Sequence, residues 1–359
     1  MMPPWAALSI KTLVVAVALG LVMVQRSVWW ATYDLDNCQG CASIVDWAEV
    51  KTRSVTAEEH AAFDRDGATV LPSRLPINIL AQLDRTLDGV SDTLMTSLVT
   101  RFVMPQYARY EHMLHTRSEL VRDFAVEGPF GAWAAQVLGA KQVRLYNAEL
   151  IFHAGPHSPT CKREWHHDSQ AAPFAPEVPA VVFTIYLTPI DGESDGPIFE
   201  AGSHTGGALR TGRLVEPRLR LGDVLVHRAG VNHTAAGRAC FRWRSLQLRY
   251  VATDGGVPFS FGPSRLVGPI AWTLAHAETV APHGLREGDE LGGPWYPQVF
   301  PTRLVAEKVR VGPKSRLGWS PRALFTLMHE ANATKMFAGD DQGIPSRSFL
   351  GIWNLNKQA

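Results

Sequence analysis

The sequence of 359 residues carries almost no net charge, because its 35 lysines and arginines nearly balance its 34 aspartates and glutamates. A formal charge of +1 gives no electrostatic basis for binding nucleic acid, which is a polyanion. The sequence also shows no basic run, no glycine-rich motif suited to a phosphate and no internal repeat. These absences set aside nucleic-acid-binding proteins, nucleotide-binding enzymes and repeat proteins.

Cysteine is scarce, with four residues in the whole chain. Cys38 and Cys41 form a Cys-x-x-Cys motif, whereas Cys161 and Cys240 are far apart in sequence. In an oxidising compartment the first pair would suit a small disulfide loop. No βαβ pattern surrounds it, as a redox motif would need, and no further ligands stand nearby for zinc. We therefore interpret residues 32–55 as a linker that contains this pair, and its disulfide state stays open.

One uninterrupted apolar run, Leu13–Val24, stands near the N-terminus, with Lys11 before it and Arg26 after it. Its length is intermediate between a signal-peptide core and a membrane span. Counting from Trp5 gives about the ~20 residues that a span needs, with the lysine close enough to an end to snorkel. No good small-x-small cleavage site follows closely. We therefore predict a signal-anchor over residues 1–31, with a cleaved signal peptide and secretion as the alternative.

The segment Glu164–Asp168 holds a His-x-Asp motif, and His233 follows much later in the chain. In an extended segment side chains alternate between faces, so His166 and Asp168 point the same way while His167 points away. Two histidines and one carboxylate form a facial ligand set for non-haem Fe(II), which leaves other metal positions open. A zinc hydrolase uses the same residue types, and an isolated His-x-Asp also occurs by chance.

An arginine follows this ligand set at a position where it could bind a carboxylate near the metal. The apolar run that ends at His227 predicts a strand, and the alternating run Phe241–Tyr250 predicts its hairpin partner. Cross-strand pairing would then bring Arg244 near the metal, where a guanidinium can grip a carboxylate by two hydrogen bonds. Arg242 shares the same face of that strand and is the rival for this role. His227, on the strand proper, is expected to be structural.

Over residues 64–253, and again at Pro294–Pro297, the chain resembles the phytanoyl-CoA dioxygenase family of Fe(II)/2-oxoglutarate oxygenases. The stretches that carry this resemblance stand in the family's order and are Phe63–Pro72, Val143–Asn147, Trp165–Asp168, Gly196–His204 and Gly222–Leu225. Arg244 stands at the family's separation from the distal histidine.

The resemblance implies a mainly β fold with flanking helices, in which a double-stranded β-helix (a jelly-roll, cupin-like barrel) holds the iron at its open end. It implies that His166, Asp168 and His233 bind Fe(II), and that Arg244 and Thr184 contact 2-oxoglutarate. The cosubstrates would be 2-oxoglutarate and O2, with ascorbate as a supporting reductant.

The expected reaction is hydroxylation of an unactivated C–H bond in a small or lipid-like substrate, with succinate and CO2 as coproducts. Halogenating relatives replace the ligand carboxylate with a small residue, so the presence of Asp168 favours hydroxylation. The alternatives are the zinc hydrolase above and a membrane-tethered binding domain that kept the barrel without turnover.

The remaining organisation follows from helix signals. Thr56 opens a capping box, and a helix from it is expected to end near Gly67. Apolar spacing predicts further helices over residues 76–87 and 118–138, buttressing a barrel domain at residues 56–253. Residues 254–359 are expected to pack on this barrel as a C-terminal extension, with a helix starting near Ser320.

The N-terminal run generates a testable prediction about topology. We expect alkaline carbonate to leave the protein in the membrane pellet, because residues 5–30 anchor it. We also expect a glycan at Asn332 and a protected C-terminus, because the domain lies on the lumenal or extracytoplasmic side. Release by carbonate would exclude the anchor, and digestion of a C-terminal tag from the cytosolic face would exclude this sidedness.

Overall fold

A computed structural model gives the fold and describes the following residues: 47, 50, 53–89, 107–111, 113–116, 118–154, 165–187, 197–205, 212–234, 242–260, 285–293 and 295–301. Within these ranges, no helix combines the length and apolar character that crossing a bilayer requires. The predicted anchor at residues 1–31, the Cys38–Cys41 pair and the helix near Ser320 lie outside the described residues.

Helices occupy the N-terminal part of the domain. They are α1 Ala57–Asp66, α2 Ile77–Gly89, α3 Glu119–Glu127 and α4 Phe130–Leu138, with short 3-10 turns at Leu114–Thr116, Asp168–Ala171 and Ser203–Thr205. The predicted capping box is present, since the Thr56 side chain accepts from the Glu59 backbone N–H and the Glu59 carboxylate accepts from the Thr56 N–H. Gly67 ends α1 in a left-handed conformation.

The predicted single helix over residues 118–138 is wrong, because the structure divides it into α3 and α4. Pro129 stands between the two, and the residue before a proline is disfavoured in helical conformation. Gly128 is accordingly extended, with φ −67° and ψ −179°. The break turns the chain between two short helices that pack on the same sheet.

In the part of the chain that the structure describes, the strands form two antiparallel sheets. They are β1 Ala68–Leu71, β2 Tyr107–Glu111, β3 Val143–Ala154, β4 Ala180–Tyr186, β5 Ile198–Glu200, β6 Leu214–Val215, β7 Val224–Arg228, β8 His233–Thr234, β9 Arg242–Ala252 and β10 Gln298–Phe300. The major sheet has seven strands in the order β1-β7-β4-β9-β3-β10, with β2 also paired to β3. The minor sheet has the order β6-β5-β8. This mainly β arrangement is the predicted double-stranded β-helix.

One face of the major sheet packs against the helices and forms the largest hydrophobic core. Phe183 of β4 lies against Phe130 and Trp133 of α4 and against Tyr250 of β9, with ring centroids 5.6–6.4 Å apart. All four side chains are almost fully buried. Each buried aromatic contributes roughly 1.5–3 kcal/mol by leaving water. This core fixes which face of every strand is left for the barrel interior.

Residues after Thr253 also contribute to the described fold. Strand β10 pairs with β3, and Phe259, Trp295 and Tyr296 belong to a second buried cluster at the end of the barrel. In this cluster Tyr146 and Phe174 meet edge to face, with ring centroids 5.0 Å apart. The segment thus covers one end of the barrel with apolar side chains.

Gly67 is a point of close contact between α1 and the turn that precedes β8. Its φ is +80°, and its carbonyl accepts from the Arg228 N–H at 2.8 Å. A Cβ at this position would lie 2.5 Å from His204 Nδ1 and 2.8 Å from Val231 Cγ2. The position therefore requires glycine both for its backbone conformation and for lack of space.

We predict that Gly67→Ala lowers the free energy of unfolding by about 2–5 kcal/mol, since a left-handed alanine costs about 1–2 kcal/mol and overpacking adds about 1–3 kcal/mol. Gly139→Ala is the matched control: Gly139 also ends a helix at φ +64°, but a Cβ there meets nothing within 4 Å. It should show only the conformational cost. Urea unfolding of both variants measures the difference, and equal destabilisation would show that the contacts at Gly67 relax.

Candidate metal centre

The two sheets meet at a pair of histidines. His166 forms an isolated antiparallel bridge with His233 at the start of β8. Both main-chain bonds of this pair are present: the His166 N–H donates to the His233 carbonyl at 2.9 Å, and the His233 N–H donates to the His166 carbonyl at 2.8 Å. Because directly opposed residues project side chains to the same face, the two imidazole centroids lie 4.4 Å apart.

Asp168 completes the group from the same segment. The Ser169 N–H donates to the Ala229 carbonyl at 2.9 Å, which attaches the segment to the turn after β7. Asp168 Oδ1 lies 3.9 Å from His166 Nε2. One ligand atom from each of His166, Asp168 and His233 lies within 4.8 Å of the other two. The structure therefore brings together the three residues predicted to bind iron.

The orientation of His233 suits a metal ligand. Its Nδ1 lies 3.1 Å from the Val231 carbonyl, which can only accept, so Nδ1 carries the proton. Nε2 then keeps its lone pair and is available to a metal. Phe199 of β5 stacks on the ring, with centroids 5.6 Å apart, and limits its rotation.

Burial and neighbouring charges set the protonation states. Burial, assisted by His166, lowers the pKa of His233 to about 4, so this imidazole is neutral at neutral pH. Burial opposes ionisation of Asp168, but Arg249 and the histidines around it outweigh this effect and hold the pKa of the carboxyl far below its usual range. Metal ligands must be deprotonated, and both groups are deprotonated without a metal.

The cluster is closed on one side and open on the other. Asp168 and His233 are buried, whereas the His166 side chain is 41% exposed. The neighbouring Trp165 is 42% exposed. A small molecule can therefore approach the cluster from the His166 side.

Sequence reasoning missed the part played by His227. Its Nε2 lies 3.2 Å from Asp168 Oδ2, and its ring centroid lies 4.8 Å from that of His233. Burial is the main cause that lowers the pKa of His227 well below its usual value. Because Asp168 is ionised, the neutral imidazole donates its Nε2–H to the carboxylate. His227 thus contacts a predicted ligand, and its even spacing from Leu225 on an otherwise apolar strand was the available signal.

The structure does not bring Arg244 to the cluster. Its Nη1 lies 2.9 Å from Asp84 Oδ1 of α2, and its guanidinium lies over the Phe152 ring at 5.8 Å. It shares a face with Leu246, Leu248 and Tyr250, which belong to the core between sheet and helices. The expected hairpin was wrong, because β4 lies between β7 and β9 in the sheet.

The interior face of β9 carries a different arginine. Arg249 Nη1 lies 3.1 Å from Asp168 Oδ2, and its Nε donates to Glu149 Oε2 at 3.0 Å. Gln247 lies on the same face and accepts from Arg249 Nη2 at 3.0 Å. The sequence held a signal for this placement. Leu246, Leu248 and Tyr250 alternate with polar residues on β9, so if the apolar face packs on the core, the polar face with Arg249 must point toward the cluster.

The other predicted positions are settled by strand register. Thr184 is buried on β4, opposite Gln247 on one side and Leu225 on the other, so it lies on the interior face. Backbone pairing places Arg242 opposite Ala154, and its side chain is outside the described part. His167 points away from the cluster, as predicted, and its Nδ1 lies 2.8 Å from Ser169 Oγ.

The residues of the cluster fit a divalent transition metal. Two imidazoles and one carboxylate are ligands that Fe(II) accepts, and a facial set of this kind leaves other metal positions for small molecules. Beside this cluster, Arg249 and Glu149 form an ion pair on the interior face of the major sheet.

Comparisons with known proteins found a family match. Residues 63–240 match the phytanoyl-CoA dioxygenase (PhyH) family, and the match stops before β9, so it does not cover Arg244 or Arg249. No curated protein matches the sequence.

Solved structures resemble the fold. The non-heme alpha-ketoglutarate-dependent carbocyclase SnoK from nogalamycin biosynthesis aligns with a TM-score of 0.52 and 16% identity, over 68% of this chain and 96% of SnoK. The epimerase SnoN from the same biosynthesis aligns with a TM-score of 0.51 and 20% identity, over 71% of this chain and all (100%) of SnoN. Sequence identities of 16% and 20% show a similar fold and nothing about activity. The domain at residues 63–240 belongs to the phytanoyl-CoA dioxygenase family of Fe(II)/2-oxoglutarate oxygenases.

Proposed function

We propose that the protein is an Fe(II)- and 2-oxoglutarate-dependent dioxygenase that hydroxylates an unactivated C–H bond of a small or lipid-like substrate. The observation that carries this proposal is the cluster of His166, Asp168 and His233, whose ligand atoms lie within 4.8 Å of one another. Family membership supplies the class of cofactor and cosubstrate.

Bound Fe(II) would supply the activation of O2, coupled to decarboxylation of 2-oxoglutarate to succinate and CO2. The chain supplies the three ligands and a dry surrounding on the side of Asp168 and His233, which are buried. The carboxylate of Asp168 occupies the position that a halogenating enzyme would leave vacant for halide. That carboxylate supports hydroxylation as the outcome.

The cosubstrate is proposed to lie along the interior faces of β4 and β9. Thr184 and Gln247 stand opposite each other there. The next pair on the same face, two residues away along each strand, is Val182 and Arg249. A hydroxyl and an amide can both hydrogen-bond a carboxylate. Arg249 supplies positive charge on this face, although Asp168 and Glu149 already engage it.

The open side of the cluster supports the proposed substrate class. Trp165 and His166 are both partly exposed there, and an aromatic surface beside a metal suits the apolar part of a small or lipid-like molecule. A zinc hydrolase is supported less well. It needs a general base, and Glu149, the neighbouring carboxylate, is engaged by Arg249 and Asn147.

We predict that His166→Ala, Asp168→Ala and His233→Ala each abolish Fe(II)-dependent succinate formation, because each removes one of three protein ligands. Anaerobic Fe(II) titration should show one metal per chain in the wild type and loss of tight binding in each variant.

His167→Ala is the matched control for this prediction, because it lies between two ligands and bonds Ser169 instead. It should retain metal binding. Normal succinate formation by any of the three cluster variants at saturating Fe(II) would remove that residue from the ligand set.

We also predict that Thr184→Val raises the 2-oxoglutarate requirement about fivefold, as loss of one hydrogen bond costs about 1 kcal/mol. Arg244→Met should leave this requirement unchanged, since Arg244 bonds Asp84 on the opposite face. Anaerobic titration of the Fe(II) protein with 2-oxoglutarate, followed by charge-transfer absorption, measures both. The reverse result would mean that β9 presents its other face to the cosubstrate.

A further inference from the structure

The two oxygens of Asp168 have different neighbours. Oδ1 lies on the side of His166, 3.9 Å from its Nε2. Oδ2 is held by two donors, the Nε2 of His227 at 3.2 Å and the Nη1 of Arg249 at 3.1 Å. A carboxylate held in this way turns one oxygen toward the imidazoles and keeps the other occupied. It is thereby oriented to bind a metal through Oδ1 alone.

The edge of the Arg249 guanidinium that points away from Asp168 is also held by hydrogen bonds. Its Nε and Nη2 lie 3.0 Å and 2.9 Å from Glu149 Oε2, and Nη2 also donates to Gln247 at 3.0 Å. Asn147 donates from Nδ2 to Glu149 Oε1 at 2.7 Å, and its Oδ1 accepts from the Met113 N–H at 2.9 Å. A continuous chain of hydrogen bonds therefore runs from the backbone at Met113 to the Asp168 carboxylate.

Strand register explains why these side chains meet. Asn147 stands opposite Arg249, and Glu149 stands opposite Gln247, on the paired strands β3 and β9. All four share the interior face, and Asn147, Glu149 and Arg249 are buried. A buried ion pair of this kind contributes little net stability, because desolvation offsets the attraction. Its geometry, by contrast, is fixed by fork-shaped hydrogen bonding that only arginine provides.

We propose that Arg249 is a positioning residue that, braced by Glu149 and assisted by His227, restricts Asp168 to one-oxygen coordination of the metal. The inference rests on the proposed metal site. An arginine can lie beside a cation site here because Glu149 and Asp168 together carry one more negative charge than Arg249 neutralises. Hydrogen-bonding partners of metal ligands commonly change metal affinity by about 10–100-fold when removed.

The test uses Co(II) as a spectroscopic probe in the full-length protein. Arg249→Met removes both the charge and the hydrogen bonds, and Arg249→Lys keeps the charge but cannot bridge Glu149 and Asp168 together. Arg244→Met and Arg244→Lys are the matched controls, since they make the same changes on the same strand but on the opposite face, beside Asp84. Each variant is characterised by competitive Co(II) titration, visible absorption and thermal unfolding.

We expect both Arg249 variants to bind Co(II) about 10–100-fold more weakly and to change the visible spectrum, because Asp168 becomes free to rotate or to coordinate through both oxygens. Both Arg244 variants should keep the wild-type affinity and spectrum, even where their unfolding temperature falls. If Arg249→Met does not fold, Arg249→Lys decides the matter, since it retains the buried charge balance.

The outcomes separate this inference from the proposed function. Wild-type affinity and spectrum in Arg249→Lys, together with either the same result or failure to fold in Arg249→Met, would overturn the positioning role while leaving the metal site intact. Absence of Co(II) binding in the wild type, or binding that survives His233→Ala, would instead overturn the metal site and with it the proposed function.

Discussion

The main-chain pair between His166 and His233 is the constraint on which the site depends. Two hydrogen bonds of 2.8 and 2.9 Å join a segment that precedes β4 to the short strand β8. These residues are 67 positions apart in sequence, so only the closure of the barrel brings them together. Once paired, their side chains must project to one face, and Asp168 follows two residues later on the same face. The metal cluster is therefore a consequence of backbone pairing rather than of side-chain attraction.

The two faces of the major sheet differ in polarity. Its helix side is filled by aliphatic and aromatic residues, and its interior side carries Asn147, Glu149, Gln247 and Arg249. Each of these four residues forms at least one hydrogen bond within the set. Such satisfaction is what allows charged side chains to remain buried, since an unpaired one would destabilise the fold by several kcal/mol. The same network sets the electrostatics of Asp168.

The predicted hairpin illustrates how far local patterns can be trusted. Alternation correctly identified the strand that became β9 and correctly grouped Arg244 with Leu246 and Leu248. It did not say which face would meet the cluster, and the family's spacing favoured Arg244. In the structure β4 lies between β7 and β9, and the leucine face packs on the helices. A pattern of period two defines two faces but does not orient them, because orientation depends on the partner layer.

The sequence by itself determined the helix that starts at Thr56, because a capping motif is local. Its ordered motifs resemble a known family, and that resemblance predicted the double-stranded β-helix and the ligand set His166, Asp168 and His233. Tertiary structure alone decided that His227 and Arg249 contact Asp168, and that Arg244 contacts Asp84 instead. It also decided the division of residues 118–138 into two helices that pack on one sheet. Contacts between distant strands depend on sheet order and on burial against other layers, and neither is encoded in the spacing of any single segment.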